Sequence, residues 1–257
     1  NGQKIRLSTF VNISELKKKD KLLFEQSKLA AMGEMIGNIA HQWRQPLSVI
    51  STGVTGMMIQ KEHNILTDKV FFETCNSINS NTQYLLETID NFGKFIKDNR
   101  EKTIFNLSDE IDSFLHLVEG SIKICDIDVI LNLQNGIQID NHQNKLTQCL
   151  INIFNNAKDI LEEKAINKKY IFISTMKKDK KAVIKIKDNG GGIAEKIIDK
   201  IFEPYFTTKH QSQGTGLGLH ATYNLIVDGM GGTIEANNDR YEYKGEKYNG
   251  AEFTITL

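Results

Sequence analysis

The sequence has no excess of either charge. Its 257 residues include 32 lysines and arginines and 32 aspartates and glutamates, and its isoelectric point is about 7.2. A protein that binds nucleic acid or an anionic membrane through its surface usually carries a basic patch and a high isoelectric point. We therefore expect neither nucleic acid nor a membrane surface among the partners of this chain.

Long apolar segments are also missing. No apolar run approaches the roughly 20 residues that span a bilayer, and nothing resembles a signal peptide. We therefore expect these residues to form a soluble portion of a protein. The sequence begins with Asn1 rather than Met, and we expect it to be a piece of a longer protein or a processed form.

The three cysteines lack the spacing of a metal site. Cys75, Cys125 and Cys149 are odd in number and widely separated, with no CxxC pair and no Cys/His pattern. The sequence predicts buried thiols in a reducing compartment.

Helical periodicity dominates the first hundred residues once a short alternating segment, 1–14, has ended. That segment is either an N-terminal arm or the end of an upstream sensor domain, because VNISELKKKD resembles the exit of a PAS domain. Two adjacent seven-residue series then predict a coiled-coil signalling helix over 15–35. Their members are Leu16, Leu23 and Ala30, and Leu22, Leu29 and Ile36.

The stretch IGNIAHQWRQPLSVI, residues 36–50, places a histidine off the apolar face of this helix. Its apolar stripe consists of Ile36, Ile39, Trp43, Leu47 and Ile50. His41 lies about 160° from the stripe, with Gln45 one turn further on, so both side chains should face solvent. Taken alone, this pattern favours an ordinary surface histidine. Pro46 predicts a bend.

A turn at KEHN, residues 61–64, separates this helix from a second one over about 67–100. Phe71, Ile78, Leu85 and Phe92 recur at seven-residue steps along the second helix. Two long helices with a short connection predict an antiparallel hairpin. One hairpin cannot cover both apolar stripes, so the sequence predicts a homodimer in which two hairpins form a four-helix bundle.

From Thr103 the pattern becomes mixed α/β: it predicts a helix with Ser108 as its N-cap, and it contains two glycine clusters. Glycines 190, 191 and 192 follow Asp188 at the end of an apolar strand, and glycines 214, 216 and 218 open a helix. Glycines allow the backbone close to a phosphate or a base, and a helix N-terminus favours an anion. The spacing matches neither GxGxxG nor GxxxxGKS, so Rossmann and P-loop sites are excluded.

Five ordered motifs together resemble sensor histidine kinases of two-component systems. NIFNNA (152–157), DNGGGI (188–193), FEPYFTTK (202–209) and GTGLGL (214–219) resemble the N, G1, F and G2 boxes of the ATP-binding domain, and IAHQWRQPL resembles the H box. The resemblance covers about 25–257. It implies a multidomain α and α+β protein, with a dimerisation and histidine-phosphotransfer domain over 25–100 and a catalytic ATP-binding α/β sandwich over 101–257.

The resemblance assigns most site residues to ATP. It makes Asp188 the acceptor of the adenine amino group and Asn156 the ligand of Mg²⁺, with Asn152 one turn earlier on the same face. Gly190 and Gly192 would line the base and ribose. Further ATP contacts would come from a lid that includes Thr208, Lys209, Gly214, Thr215, Gly216, Leu217 and Gly218. For Phe202 and Phe206, a functional and a packing role stay equally open.

The resemblance also implies a reaction at His41. Gyrase-type and MutL-type relatives carry a water-activating glutamate where this chain has Asn152, and an amide cannot act as a general base. His41 would then take the γ-phosphoryl group and pass it to an aspartate of a response regulator. In the family an acidic residue usually follows the histidine, but this chain has Gln42 there. A glutamine amide cannot take a proton at neutral pH.

Several alternatives stay open at this point. Gln45 is either a polar surface residue or a residue that orients water for a phosphatase reaction on the regulator. The whole chain is alternatively a pseudokinase scaffold that binds ATP and docks a regulator, or a gyrase-like ATPase. The resemblance implies a cytoplasmic location for these residues, whether or not the full-length protein has a membrane tether.

Overall fold

The computed structural model describes residues 14–96, 101–208 and 216–257. The expected strand-like segment at the N-terminus lies almost entirely outside the described residues. In chain order the elements are α1 (Ser14–Glu62), α2 (Asp68–Ile96), β1 (Thr103–Asn106), α3 (Leu107–Ile124), β2 (Ile127–Leu133), β3 (Gln138–Asn141), α4 (Gln143–Glu163), β4 (Lys169–Lys178), β5 (Lys181–Asp188), α5 (Glu195–Ile198), α6 (Gly218–Asn224), a π-helical turn (Leu225–Gly229), β6 (Thr233–Tyr243) and β7 (Glu246–Thr256).

Helices α1 and α2 form the predicted pair. The turn between them contains Asn64 in the left-handed region, and the backbone N–H of Ile65 donates to Gln60 across it. A Cβ atom on Gly53 of α1 would lie 3.0 Å from the Cγ2 atom of Thr74 on α2, so the two helices pack closely there. α1 runs through Pro46 without interruption.

Large apolar side chains remain uncovered along the helical pair in this single chain. Leu22, Leu29 and Ile36 of the predicted seam are each more than half exposed, as is Leu47. Exposed apolar stripes of this length usually mark an interface. The four-helix bundle with a second copy stays a prediction.

A five-stranded sheet forms one layer of the second half. Its strand order is β2-β4-β5-β7-β6, in which β2 and β4 are parallel and the other neighbours are antiparallel. Ile173, Ile186 and Phe253 lie opposite one another across β4, β5 and β7 and are all buried. Alternate residues of each strand face the same side, so this register gives the sheet one apolar face.

Helices α3, α4 and α6 form the other layer and contribute buried residues to the same core. Phe114 of α3 and Phe154 of α4 meet edge to face with their ring centres 6.0 Å apart, and both are fully buried. The expected α/β sandwich is confirmed. Among the described residues, no helix is long and apolar enough to cross a membrane.

Local details at the start of α3 differ from the prediction. The sequence pattern predicted Ser108 as the N-cap, but the helix begins at Leu107 and Asn106 caps it, accepting a hydrogen bond from the Ser108 backbone N–H at 2.9 Å. Asn106 also ends β1, which pairs with β3, a four-residue strand that the periodicity did not indicate. Asparagine is as good a cap as serine, so the choice was decided by where β1 ends.

A buried carboxyl group joins α3 to α4. Glu110 is 2% exposed and accepts hydrogen bonds from the side chains of Thr147 and Gln143. Burial raises the pKa of Glu110 to about 7, although both hydrogen bonds act in the opposite direction.

This raised pKa predicts a stability that falls as pH rises. Below about pH 4.5, Glu110 is protonated in both states, whereas above about pH 7 the folded state must carry a buried charge. The contribution of Glu110 to the free energy of unfolding should fall by about 2 kcal/mol between pH 5 and pH 8. Glu110→Gln should remove most of this fall in urea unfolding at the two pH values. The exposed Glu163→Gln should keep it, and an unchanged fall in Glu110→Gln would contradict the assignment.

Candidate functional site

Asp188 ends β5 with its carboxylate inside the protein. The residue is 4% exposed, and its Oδ1 atom accepts hydrogen bonds from the backbone N–H groups of Gly190 at 2.7 Å and Ala251 at 3.3 Å. Burial raises the pKa of Asp188 to about 6, while these two bonds and the charge of Lys164 oppose the rise. Both of these hydrogen bonds use Oδ1, so Oδ2 can accept a hydrogen bond from a ligand.

Strand β7 passes Asp188 at a distance that only glycine permits. A Cβ atom on Gly250 would lie 1.6 Å from the Asp188 carbonyl oxygen. Ala251, the next residue, donates to the Asp188 side chain. Gly250 could not be identified from the sequence, because a single glycine near a hairpin is read as part of a turn.

The glycine loop after Asp188 lies against α4. A Cβ atom on Gly190 would lie 2.7 Å from the Cγ2 atom of Ile160, and the Lys164 ammonium donates to the Gly190 carbonyl at 2.5 Å. Gly192 has φ of +79°, and a Cβ atom there would lie 2.5 Å from the Oδ1 atom of Asn238. A side chain at either position would displace the loop.

One stripe of α4 brings the predicted motifs together. Residues 152, 156, 160 and 164 follow one another at four-residue steps and therefore share a helix face. Ile160 and Lys164 contact the glycine loop, and Asn152 contacts the first residue of α6. Asn156 lies between Asn152 and Ile160 on this face. Helix α4, Asp188 with its glycine loop, and Gly218 therefore surround one region.

The side-chain amides of Asn152 and Asn156 have different hydrogen-bond partners. The Asn152 amide donates to the Gly218 carbonyl and to the Thr222 hydroxyl, each at 3.1 Å, and so ties α4 to α6. The half-buried Asn156 donates to the Asn152 carbonyl at 2.9 Å, which leaves its own Oδ1 as an acceptor. Mg²⁺ prefers oxygen ligands, so an amide oxygen of this kind fits the predicted metal role.

The lid region is described only at its two ends. Thr208 is exposed at one end, and Gly216, Leu217 and Gly218 are at the other. Gly216 has φ of +64°, and a Cβ atom there would overlap the backbone of Tyr205. Lys209, Gly214 and Thr215 lie outside the described residues.

Phe202 and Phe206 pack partly buried against the core, which favours their packing role. The ring of Phe202 also lies 5.6 Å from that of Tyr223.

His41 and Gln42 lie in α1, but their side chains are outside the described part of the structure. Gln45 is exposed, and Pro46 is buried. Arg44, Gln45 and Pro46 of α1 line a groove. Its other walls include Tyr84 of α2 and Glu119 and Lys123 of α3. The Tyr84 hydroxyl donates to Glu119 at 2.9 Å, which connects α2 to α3.

Comparison with known proteins identifies the second half of the chain. Residues 141–257 match the family model described as histidine kinase-, DNA gyrase B-, and HSP90-like ATPase. This segment is similar to the ATPase domains of that family. It contains Asn152, Asn156, Asp188 and the described glycines of the site, and the match indicates a domain that binds ATP.

The relatives extend the likeness to the helical part. Sporulation kinase A of Bacillus subtilis is 28% identical over 221 residues, which are 86% of this chain and 35% of that protein. The signal transduction histidine-protein kinase AtoS of Escherichia coli is 29% identical over 255 residues, 98% of this chain and 39% of that protein. The resemblance to sensor histidine kinases is confirmed. The chain spans well under half the length of these two relatives.

A solved structure supports the fold of the ATPase domain. The catalytic domain of the histidine kinase ThkA has a TM-score of 0.50 and 28% identity, covering 61% of this chain and 95% of the ThkA chain.

Because Asn152 and Asn156 make different hydrogen bonds, their substitution should lower the free energy of unfolding by different amounts. Asn152→Ala should lower the free energy of unfolding by about 1–2 kcal/mol, because it removes two buried hydrogen bonds. Asn152→Asp should cost more, about 3 kcal/mol, because it places a carboxylate oxygen against the Gly218 carbonyl. Asn156→Asp on the same stripe should cost less than about 1 kcal/mol. Urea unfolding measures all three, and an Asn152→Asp variant as stable as the parent would disprove the tie to α6.

Proposed function

We propose that this chain is the kinase portion of a sensor histidine kinase, which transfers the γ-phosphoryl group of ATP to His41 and then to an aspartate of a response regulator. The observation that carries the proposal is the arrangement around α4. A buried carboxylate with one uncommitted oxygen, a glycine loop and an outward amide oxygen border the same region. The two relatives are kinases by name, which supports the reaction class.

Selection of adenine rests on Asp188. The adenine amino group is a hydrogen-bond donor, whereas guanine carries a carbonyl oxygen at the corresponding position. Oδ2 of an ionised Asp188 accepts from the amino group and repels the carbonyl oxygen. Since Oδ1 is already fixed by two backbone N–H groups, the carboxylate cannot rotate away without losing both bonds.

Asn156 and the lid residues would bind the phosphate end of ATP. Oδ1 of Asn156 would hold Mg²⁺, which neutralises charge on the phosphates when bound. The α6 helix begins at Gly218, and the Asn152 amide holds that carbonyl in place. Gly216 and Leu217 precede it and form the described end of the lid, with Thr208 at the other end.

The nucleophile is the neutral imidazole of His41. Its ring nitrogen lone pair forms the new N–P bond as the bond between the γ-phosphorus and the bridging oxygen breaks, and ADP leaves with that oxygen. The imidazole must also lose its other N–H proton. The Gln42 amide accepts a hydrogen bond from that group but cannot take the proton, so solvent accepts it.

Water competes poorly as the nucleophile. In a hydrolytic relative a carboxylate would activate water, but Asn152 has no basic group, and its amide is engaged with Gly218 and Thr222. This disfavours the gyrase-like ATPase. The pseudokinase scaffold is the second alternative, and the intact set of Asn156, Asp188 and His41 argues against it.

The proposed reaction also assigns a role to each part of the chain. Residues 25–100 form the dimerisation and phosphotransfer domain, 101–257 the catalytic domain, and 15–35 the signalling helix. The exposed apolar residues of α1 and α2 provide the surface for a second copy. A receiver domain of a response regulator is the partner for phosphotransfer. Gln45, exposed on α1 beside the phosphorylation site, is the residue for a phosphatase reaction on that regulator.

The reaction predicts a histidine-linked phosphoryl group. Purified protein incubated with γ-labelled ATP and Mg²⁺ should acquire label that is lost in acid and retained in alkali. His41→Ala should abolish the label while ATP binding persists. His220 of α6 provides the control, since His220→Ala should keep the label on His41. Label that survives in His41→Ala would contradict the assignment, and ATP binding without label in the parent would favour the scaffold.

The proton account predicts a gain of activity at the next residue. Gln42→Glu supplies a carboxylate that can take the imidazole proton, so the autophosphorylation rate should rise by about tenfold to a hundredfold at saturating ATP. Gln45→Glu, one turn away from His41, is the control for added charge and should not raise the rate. An unchanged rate in Gln42→Glu would mean that proton removal does not limit the reaction.

A further inference from the structure

The glycine loop that follows Asp188 has almost no side chains with which to hold its own shape. Residues 190–192 are all glycine, and two of them have positive φ, +88° at Gly191 and +79° at Gly192. An unsupported glycine segment samples many conformations, and fixing it costs conformational entropy. The hydrogen bonds of its backbone must therefore define the shape that a nucleotide meets.

Two asparagines of the β6–β7 hairpin make four of those hydrogen bonds, and Asp188 and Lys164 make two more at Gly190. The side-chain amide of Asn238 donates to the Ile193 carbonyl, and its Oδ1 atom accepts from the Ile193 N–H, both at 2.6 Å. The side chain of Asn249 donates to the Gly191 carbonyl at 2.9 Å, and its own carbonyl accepts from the Gly191 N–H at 2.8 Å. The loop is thus bound at alternate residues, as the edge of a sheet would be.

The hairpin that carries the two asparagines is itself firmly supported. Its tyrosines 241, 243 and 248 pack edge to face on Tyr170 and Phe172 of β4, with ring centres 5.0–5.6 Å apart. The Lys187 ammonium lies 3.8 Å from the centre of the Tyr241 ring and 2.8 Å from the Asp239 carboxylate. The Tyr241 hydroxyl also donates to the Asp188 carbonyl at 2.9 Å.

We infer that Asn238 and Asn249 are positioning residues for the nucleotide, which hold the glycine loop in its binding shape before ATP arrives. This inference rests on the proposed function, because it concerns the same nucleotide site. The two residues act through the loop. Without them, ATP binding must order the loop, and the entropy lost in that ordering weakens the observed affinity.

The two asparagines are exposed, so they can be replaced without unfolding the domain. Both are exposed, and they are 45 and 58 residues away in sequence from the backbone groups that they bind. Exposed polar residues generally contribute little to global stability, so their replacement should leave the domain folded. The neighbouring Asn237 is exposed too, and its side chain points to the other side of β6. Asn237→Ala is therefore a matched control.

The test compares Asn238→Ala, Asn249→Ala and the double variant with Asn237→Ala. Calorimetric titration with Mg²⁺ and a non-hydrolysable ATP analogue should give a Kd about tenfold higher for each single variant and higher still for the double variant. The control should stay within about twofold of the parent. In the phosphorylation assay, KM for ATP should rise while kcat at saturating ATP is kept. Thermal midpoints should stay close to the parent value.

Hydrogen exchange separates positioning from general loosening. Backbone amides of residues 190–193 should exchange faster in the variants without nucleotide, while those of the buried residues of α4 should not change. An unchanged Kd despite faster loop exchange would overturn the inference. A parent protein that binds the analogue but never labels His41 would overturn only the proposed reaction, and the Kd comparison would still decide the inference. A parent protein that binds no analogue would overturn both.

Discussion

The fixed carboxylate of Asp188 is the constraint on which the rest of the site depends. Two backbone N–H groups from different segments hold one of its oxygens, and one of these segments is β7, which approaches only because residue 250 is glycine. The antiparallel register of β5 and β7 sets that approach, since Lys187 lies opposite Glu252. The same register aligns the buried apolar residues of both strands, so core packing and the position of the carboxylate are determined together.

The sequence predicted the parts of the site that come from short motifs, because residues close in sequence share one helix face or one turn. Asn156 is one turn from Asn152, and Gly190 is two residues from Asp188. The role of Asn152 was less visible. The resemblance placed it with the nucleotide, whereas in the structure its amide bonds to α6 across 66 residues of sequence, which no local pattern reveals.

The contacts missed from the sequence are long-range. Asn238 and Asn249 lie in a polar hairpin, where asparagine is expected for its turn propensity, so nothing in the pattern marks them as partners of the glycine loop. β3 has four residues and pairs with β1 across more than thirty intervening residues, which explains why periodicity did not find it. Leu22, Leu29 and Ile36 of α1 were predicted as seam residues from their repeat, and they are exposed in the single chain, so the sequence pattern alone does not reveal what covers them.

Selection of adenine by the Oδ2 atom of Asp188 is tested most directly by replacing that hydrogen-bond acceptor with a donor. In Asp188→Asn, the amide oxygen can keep the Gly190 and Ala251 bonds, so the NH₂ group takes the place of Oδ2. That group repels the amino group of adenine and donates to the carbonyl oxygen of hypoxanthine. Titration with ATP and with inosine triphosphate should show that the parent prefers ATP and that the variant prefers inosine triphosphate. A variant that keeps the parent's preference for ATP would contradict the account.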